Sequence, residues 1–125
     1  MKIRVIAVAV LMSVFAGSAG AAREQFAQFG AIAYSSRTHR SGYSTNMDSR
    51  AEAEREALSE CRVRDCRIMV WFRNSCGILV TGNNGDVTAW AYDVNPKKAR
   101  MRALKSCRER ADGCKTVIEA CSTEE

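Results

Sequence analysis

The sequence predicts an α+β fold: a small disulfide-stapled domain built from two similar strand-strand-helix-strand repeats, mostly antiparallel sheet with two helices. Three observations carry this expectation. Six cysteines fall into two echoing sets, Cys61, Cys66 and Cys76, then Cys107, Cys114 and Cys121. Two segments, SRAEAEREALSEC ending at Cys61 and NPKKARMRALKSC ending at Cys107, match with a shift of 46 positions, so that Ala53, Ala57, Leu58 and Cys61 fall on Ala99, Ala103, Leu104 and Cys107. Short β-branched and aromatic runs flank each of these segments, as strands do.

In chain order, residues 1–22 read as a signal peptide. Lys2 and Arg4 supply the positive start, Ile3 to Phe15 the apolar run, and AGSAGAA the small-residue cleavage region. A membrane-spanning helix needs about 20 apolar residues, and Gly17, Ser18 and Gly20 interrupt this run before Arg23 and Glu24 end it. Cleavage is therefore expected after Ala21 or Ala22, with no stable membrane span afterwards; the alternative is a retained N-terminal anchor. The rest, residues 23–125, suits one small domain with repeat halves at about 29–76 and 77–121. The chain carries 19 Lys plus Arg against 14 Asp plus Glu. Loss of Lys2 and Arg4 leaves this balance only mildly basic. No block of like charge marks a nucleic-acid tail, and no nucleic-acid partner is expected.

The first unit opens with the strand candidate FGAIAYS, followed by the polar and basic tip SRTHRSG and a second extended run around Gly42 to Thr45. Its helix starts at Ser49, whose hydroxyl and Glu52 form a capping box. The strand RIMVWF comes next. The second unit runs GILVTG, the turn Asn83, Asn84, Gly85, the strand Val87 to Tyr92, a helix capped by Asn95 with Pro96 at its first position, and KTVIEA. On both helices Ala, Ala and Cys at i, i+4 and i+8 form a narrow small-residue stripe that lets a helix lie close on a sheet. The first helix is mixed in sign and the second almost purely basic.

An even number of cysteines in an exported chain reads as a disulfide framework, although six cysteines allow 15 pairings. The repeat favours Cys61 with Cys66 and Cys107 with Cys114, each tying a helix end to the next strand. Cys76 and Cys121 remain, and their bond is expected to join the two halves, contributing on the order of 3 to 5 kcal/mol through loop closure. The cysteine spacings lack the two-residue knuckles of structural zinc sites, and there is one histidine, so no metal and no cofactor is expected.

His39 is that histidine, lying between Arg37 and Arg40 with no carboxylate close in sequence. Asp65, Asp86, Asp93 and Asp112 read as turn and capping residues. No serine lies in a nucleophile elbow and no glycine-rich loop opens a helix. No catalytic set is therefore assigned. The more distinctive residues are Trp71 and Arg73, which alternation places on one strand face with Met69 while Phe72 points to the other. Trp90 and Tyr92 alternate in the same way. These residues either fill a core or form a surface of the aromatic and arginine kind that dominates binding hot spots. The candidate binding set is Trp71, Arg73, Trp90, Tyr92, Arg37, His39 and Arg40.

The combination of FGAIAYS, GYS, the SRAEAEREAL helix, the Cys61 and Cys66 pair and VWFRNSCG resembles the bacterial exported family catalogued as domain of unknown function 4189. The resemblance spans Phe29 to Cys121, with VWFRN its most specific block and TGNNGDVTAWAYD its looser part. It implies a small exported domain, often standing alone, and brings no catalytic residue with it. The leading expectation is an exported, periplasmic or secreted, non-enzymatic binding module that meets a protein or an anionic envelope component. An inhibitor or immunity protein is one specific version. The competing readings are an enzyme acting on cell-wall or other anionic polymer through His39, and a structural or stress-related envelope protein. Oligomeric state depends on which strand edges the fold leaves open.

Overall fold

The computed structural model describes residues 27–123, so the predicted signal peptide at 1–22 lies outside the described residues. The element order is β1 (Phe29–Tyr34), β2 (Ser41–Met47), α1 (Arg50–Cys61), β3 (Arg67–Arg73), β4 (Cys76–Gly82), a one-turn 3-10 helix (Asn83–Gly85), β5 (Val87–Asp93), α2 (Pro96–Arg108) and β6 (Lys115–Cys121). The strand-strand-helix-strand unit thus occurs twice. Each unit makes its own three-stranded antiparallel sheet, ordered β2-β1-β3 and β5-β4-β6.

Both helices begin where local chemistry sets them. Ser49 Oγ accepts from the Glu52 amide at 3.1 Å, and Asn95 Oδ1 accepts from the Lys97 and Lys98 amides, with Pro96 following. The small-residue stripe is fully buried: Ala53, Ala57 and Cys61 lie on Ala31 and Ala33 of β1, and Ala99, Ala103 and Cys107 lie on Ile78 and Val80 of β4. α1 comes so close to its sheet that a Cβ on Gly42 would meet the helix backbone at Ala57 and Glu60.

Because β1 and β4 alternate between helix-facing and inward-facing residues, their other faces meet. Ile32, Tyr34, Val70 and Phe72 of the first sheet pack against Leu79, Ile118 and Ala120 of the second. The molecule is therefore four layers deep, helix, sheet, sheet, helix. Between the sheets, β3 touches β5 and β2 touches β6, contacts that exchange when one unit is renamed as the other. That is the pattern of an approximate two-fold axis. At its centre the Phe72 ring lies between Gly30 and Gly77, where a Cβ on either glycine would overlap it. Gly30 pairs with Phe72 in the first sheet and Gly77 with Ala120 in the second, so the two units place one large and one small residue at equivalent positions. Removing that ring would cost about 3 to 5 kcal/mol.

The same irregularity interrupts both sheets. The register slips between Ile32 and Ala33 opposite β3, and between Leu79 and Val80 opposite β6, leaving Met69 and Val117 as extra residues. This corrects the expected alternation: the bulge turns Met69 towards the central cluster with Val70 and Phe72, while Ile68 stays on the α1 side.

All three expected disulfides are present, Cys61–Cys66, Cys107–Cys114 and Cys76–Cys121. One role differs from expectation. Cys76 is the first residue of β4 and pairs directly with Cys121 across the second sheet, so this bond lies inside one unit and does not join the halves. Its equivalent in the first sheet is the pair Phe29 and Arg73, whose guanidinium lies 5.9 Å from the Phe29 ring centre. The third cysteines of the two sets match in order along the chain but not in register. The units are joined instead by the short link Asn74–Ser75, the central cluster, and hydrogen bonds such as Asn46 amide to Ser122 Oγ at 2.9 Å.

Candidate functional site

β5 is an edge strand with two different faces. Ala89 and Ala91 are buried against α2, whereas Trp90 and Tyr92, opposite Leu79 and Gly77 of β4, point to the side where the first sheet lies. β3 covers that side only in part, and Trp90 and Tyr92 remain 49 % and 54 % exposed. A groove of about 240 Å³ runs between them and β3 from Met69 to Arg73. It continues past Arg73, Trp90 and Tyr92 into an open cleft of about 560 Å³ bounded by Ser75, Asp93, Val94 and Arg102. The walls are therefore an aromatic edge strand, the end of β3 and the side of α2.

Two arginines supply charge there. The Arg102 guanidinium donates to the Tyr92 carbonyl and lies 3.6 Å from the Asp93 carboxylate, which fixes it against the end of β5. Arg73 lies over Phe29 and forms no ion pair with a described residue. Trp71 borders the groove, but its ring is on the α1 side, with the Arg50 guanidinium 4.4 Å above it and the Phe29 ring 6.4 Å away. All four aromatic and arginine candidates line the groove, with Arg73, Trp90 and Tyr92 continuing into the open cleft and Trp71 held at the border by Arg50 and Phe29. Arg102 was missed by sequence reasoning. Its repeat equivalent is Glu56, and that change of sign on a shared frame was the available signal.

His39, Arg37 and Arg40 lie elsewhere, on the exposed tip between β1 and β2. The tip is folded by backbone bonds from the Ser35 amide to the Arg40 carbonyl and from the His39 amide to the Ser35 carbonyl, both 2.8 Å. Ser35 Oγ donates to Asp65 at 2.8 Å. His39 takes a left-handed backbone, φ 61°, which puts its ring across the Tyr34 ring at 6.2 Å and flat against Gly85, where a Cβ would collide with it. Its Nε2 is 3.3 Å from Asp86 Oδ1. A carboxylate absent from its sequence neighbourhood is thus supplied by the tip of the other unit, which corrects the reading of Asp86 as a turn residue alone. A cleft of about 480 Å³ beside it is lined by Tyr34, Thr81, Asn84, Lys115 and Thr116. The Tyr34 hydroxyl donates to the Gly85 carbonyl at 2.6 Å. Burial, and then the nearby Asp86 charge, raise the Tyr34 pKa above its ordinary value. Arg37 and Arg40 flank this pair without approaching the β5 cleft.

Among the described residues no group of three or more His, Cys, Asp or Glu side chains is arranged to hold a metal ion, and no helix is long and apolar enough to cross a membrane. The fold and cleft define a class: small, disulfide-bonded, internally duplicated α+β domains with an open aromatic and arginine-lined groove. The chain belongs to the family described as domain of unknown function (DUF4189), whose model matches residues 29–121. Its fold is similar to the NMR structure of Rv1813c from Mycobacterium tuberculosis, at 26 % identity over 75 % of this chain and 74 % of that one, with a TM-score of 0.52. No curated protein matches the chain.

Proposed function

We propose that the protein is an exported, non-enzymatic binding module that meets a protein or an envelope component through the β3–β5 groove. The observation that carries this reading is the convergence of Arg73, Trp90 and Tyr92 on one open groove, with the two aromatics half exposed on an edge strand. Large rings left open beside a guanidinium are the composition of binding hot spots. Three disulfides support export, because such bonds persist in oxidising compartments. An inhibitor or immunity role is one form this binding takes. The test is capture from envelope extracts by the disulfide-bonded protein. Trp90→Ala and Arg73→Ala are expected to lose the captured component, and Tyr43→Ala, an exposed ring in the separate cleft along β2, to keep it. Undiminished capture by both of the first two variants removes the groove from this reading.

A second reading is favoured by one specific observation, the 3.3 Å contact of His39 with Asp86 beside a cleft. A histidine held by a carboxylate has the arrangement of an oriented general base. In this reading the protein cleaves cell-wall or another anionic polymer. Release of reducing ends or soluble fragments from purified cell wall would measure it, with His39→Ala expected to abolish turnover and Asp86→Asn to lower it. Equal turnover by wild type and His39→Ala ends this reading.

A further inference from the structure

The two helices occupy equivalent places on equivalent sheets, so each serves as an internal control for the other. α1 carries Glu52, Glu54, Glu56 and Glu60 against Arg50 and Arg55. α2 carries Lys97, Lys98, Arg100, Arg102, Lys105 and Arg108 and no acid. Packing on the sheet asks for the same alanine stripe in both, so it does not explain the difference in sign. Nor do internal ion pairs account for it. Arg100 is tied to Glu119 at 2.9 Å and Arg102 to Asp93, but Lys97, Lys98, Lys105 and Arg108 form no ion pair with a described residue.

The charge lies next to the aromatic groove. Arg102 is part of its wall, and Lys98 and Lys105, four and three residues away, share that side of the helix. The corresponding cleft of the first unit, along β2, holds Tyr43 with Glu56 and Glu60. One fold thus presents an acidic edge cleft and a basic one, and the basic one has two aromatics, Trp90 and Tyr92, at i and i+2 on one strand face. Their attachment points are about 7 Å apart, so neighbouring rings of one polymer chain reach both.

We infer that the β5–α2 cleft binds a carboxylated polysaccharide, with Trp90 and Tyr92 stacking on the apolar C–H faces of its sugar rings and Arg73, Arg102, Lys98 and Lys105 meeting its carboxylates. This deepens the binding reading and rests on it. A protein partner accounts for the aromatics and arginines but not for Lys98 and Lys105 beside them, because lysine is depleted at protein interfaces. A flat anionic membrane does not match the shape of a concave cleft walled by β3, β5 and α2. Nucleic acid would use the same stacking, but it rewards a basic charge that runs over the binding surface, and here α1 and the β2 cleft are acidic.

The test uses the purified disulfide-bonded protein and follows tryptophan fluorescence and gel retardation with five probes: polygalacturonate, dextran, polyglutamate, oligothymidine and phosphatidylglycerol vesicles. Polygalacturonate is expected to bind and to change the tryptophan emission. Its affinity is expected to fall roughly fiftyfold between about 50 and 200 mM salt, as for four charge contacts on a single-stranded polyanion. Trp90→Ala is expected to weaken it about tenfold, the loss of one stacked ring. Arg102→Glu, and independently Lys98→Glu at an exposed position, are expected to weaken it further at low salt, while Glu56→Arg, at the position equivalent to Arg102, leaves the Trp90 contribution intact. Equal binding of dextran overturns the requirement for charge. Equal binding of polyglutamate, oligothymidine or vesicles, or an unaltered affinity in Trp90→Ala, overturns the sugar. If polygalacturonate fails to bind while Trp90→Ala and Arg73→Ala still abolish capture from envelope extracts, the polysaccharide assignment falls and the binding module stands. Loss of both results removes the groove altogether.

Discussion

Tyr34 joins three roles in one side chain: it fills the central cluster, supports the His39 ring, and binds the opposite tip through its hydroxyl. Tyr34→Phe keeps the ring and deletes the bond to the Gly85 carbonyl, and is expected to cost about 0.5 to 1.5 kcal/mol at neutral pH. Alkaline pH adds a second signature. Its pKa is raised in the folded state, chiefly by burial and further by Asp86, above the ordinary value of 10.0. The protonated form is therefore the one the fold favours. Its contribution is complete below that ordinary value and is lost as pH rises through the folded one. Denaturant unfolding from neutral pH to above pH 10 is expected to show a falling midpoint in wild type and a flatter profile in Tyr34→Phe. The same side chain illustrates what one dimension conceals. Tyr34, His39 and Asp86 meet only because two hairpin tips arrive at one end of the sandwich, and 47 positions separate the histidine from its carboxylate.

At the level of elements, the two helices, six strands and repeat were legible because their signals are local. Ser49 and Asn95 announce helix starts, Asn83, Asn84 and Gly85 announce a hairpin, and the alanine stripes announce close packing. Less legible was anything that depends on register. Alternation assigned Met69 to the Trp71 face, and the bulge beside Ile32 moved it to the other. Cys76 and Cys121 were correctly paired by elimination, yet matching cysteines by order concealed that they face each other across one sheet. The groove was half legible. Arg73, Trp90 and Tyr92 stood out by composition, but only the stacking of β3 over β5 makes them neighbours, and only that stacking exposes Arg102 as a wall.

For the whole molecule, the placement of the disulfides has a direct consequence. Each bond closes within its own unit, and the units are linked covalently through the backbone at Asn74–Ser75. If a protease site is inserted there and cut, the two fragments are expected to stay associated under native conditions through the central cluster. They are expected to separate in denaturant without reductant. A non-reducing denaturing gel checks this, and a single uncleaved-size band after complete cutting would mean that a cystine spans the units. The Cys76–Cys121 bond still constrains a loop with a sequence separation of 45, about 4 kcal/mol in the chain-entropy model, but it does so for the second sheet alone. The ring of Phe72, held between Gly30 and Gly77, carries the matter further. Two separate copies of one unit, meeting about a true dyad, must place the same side chain at both equivalent positions. Two phenylalanines would then compete for space that here holds one, and two alanines would leave it empty. A covalently tandem chain is released from that obligation, so its two halves can diverge at the axis, one supplying the plug and the other the room for it.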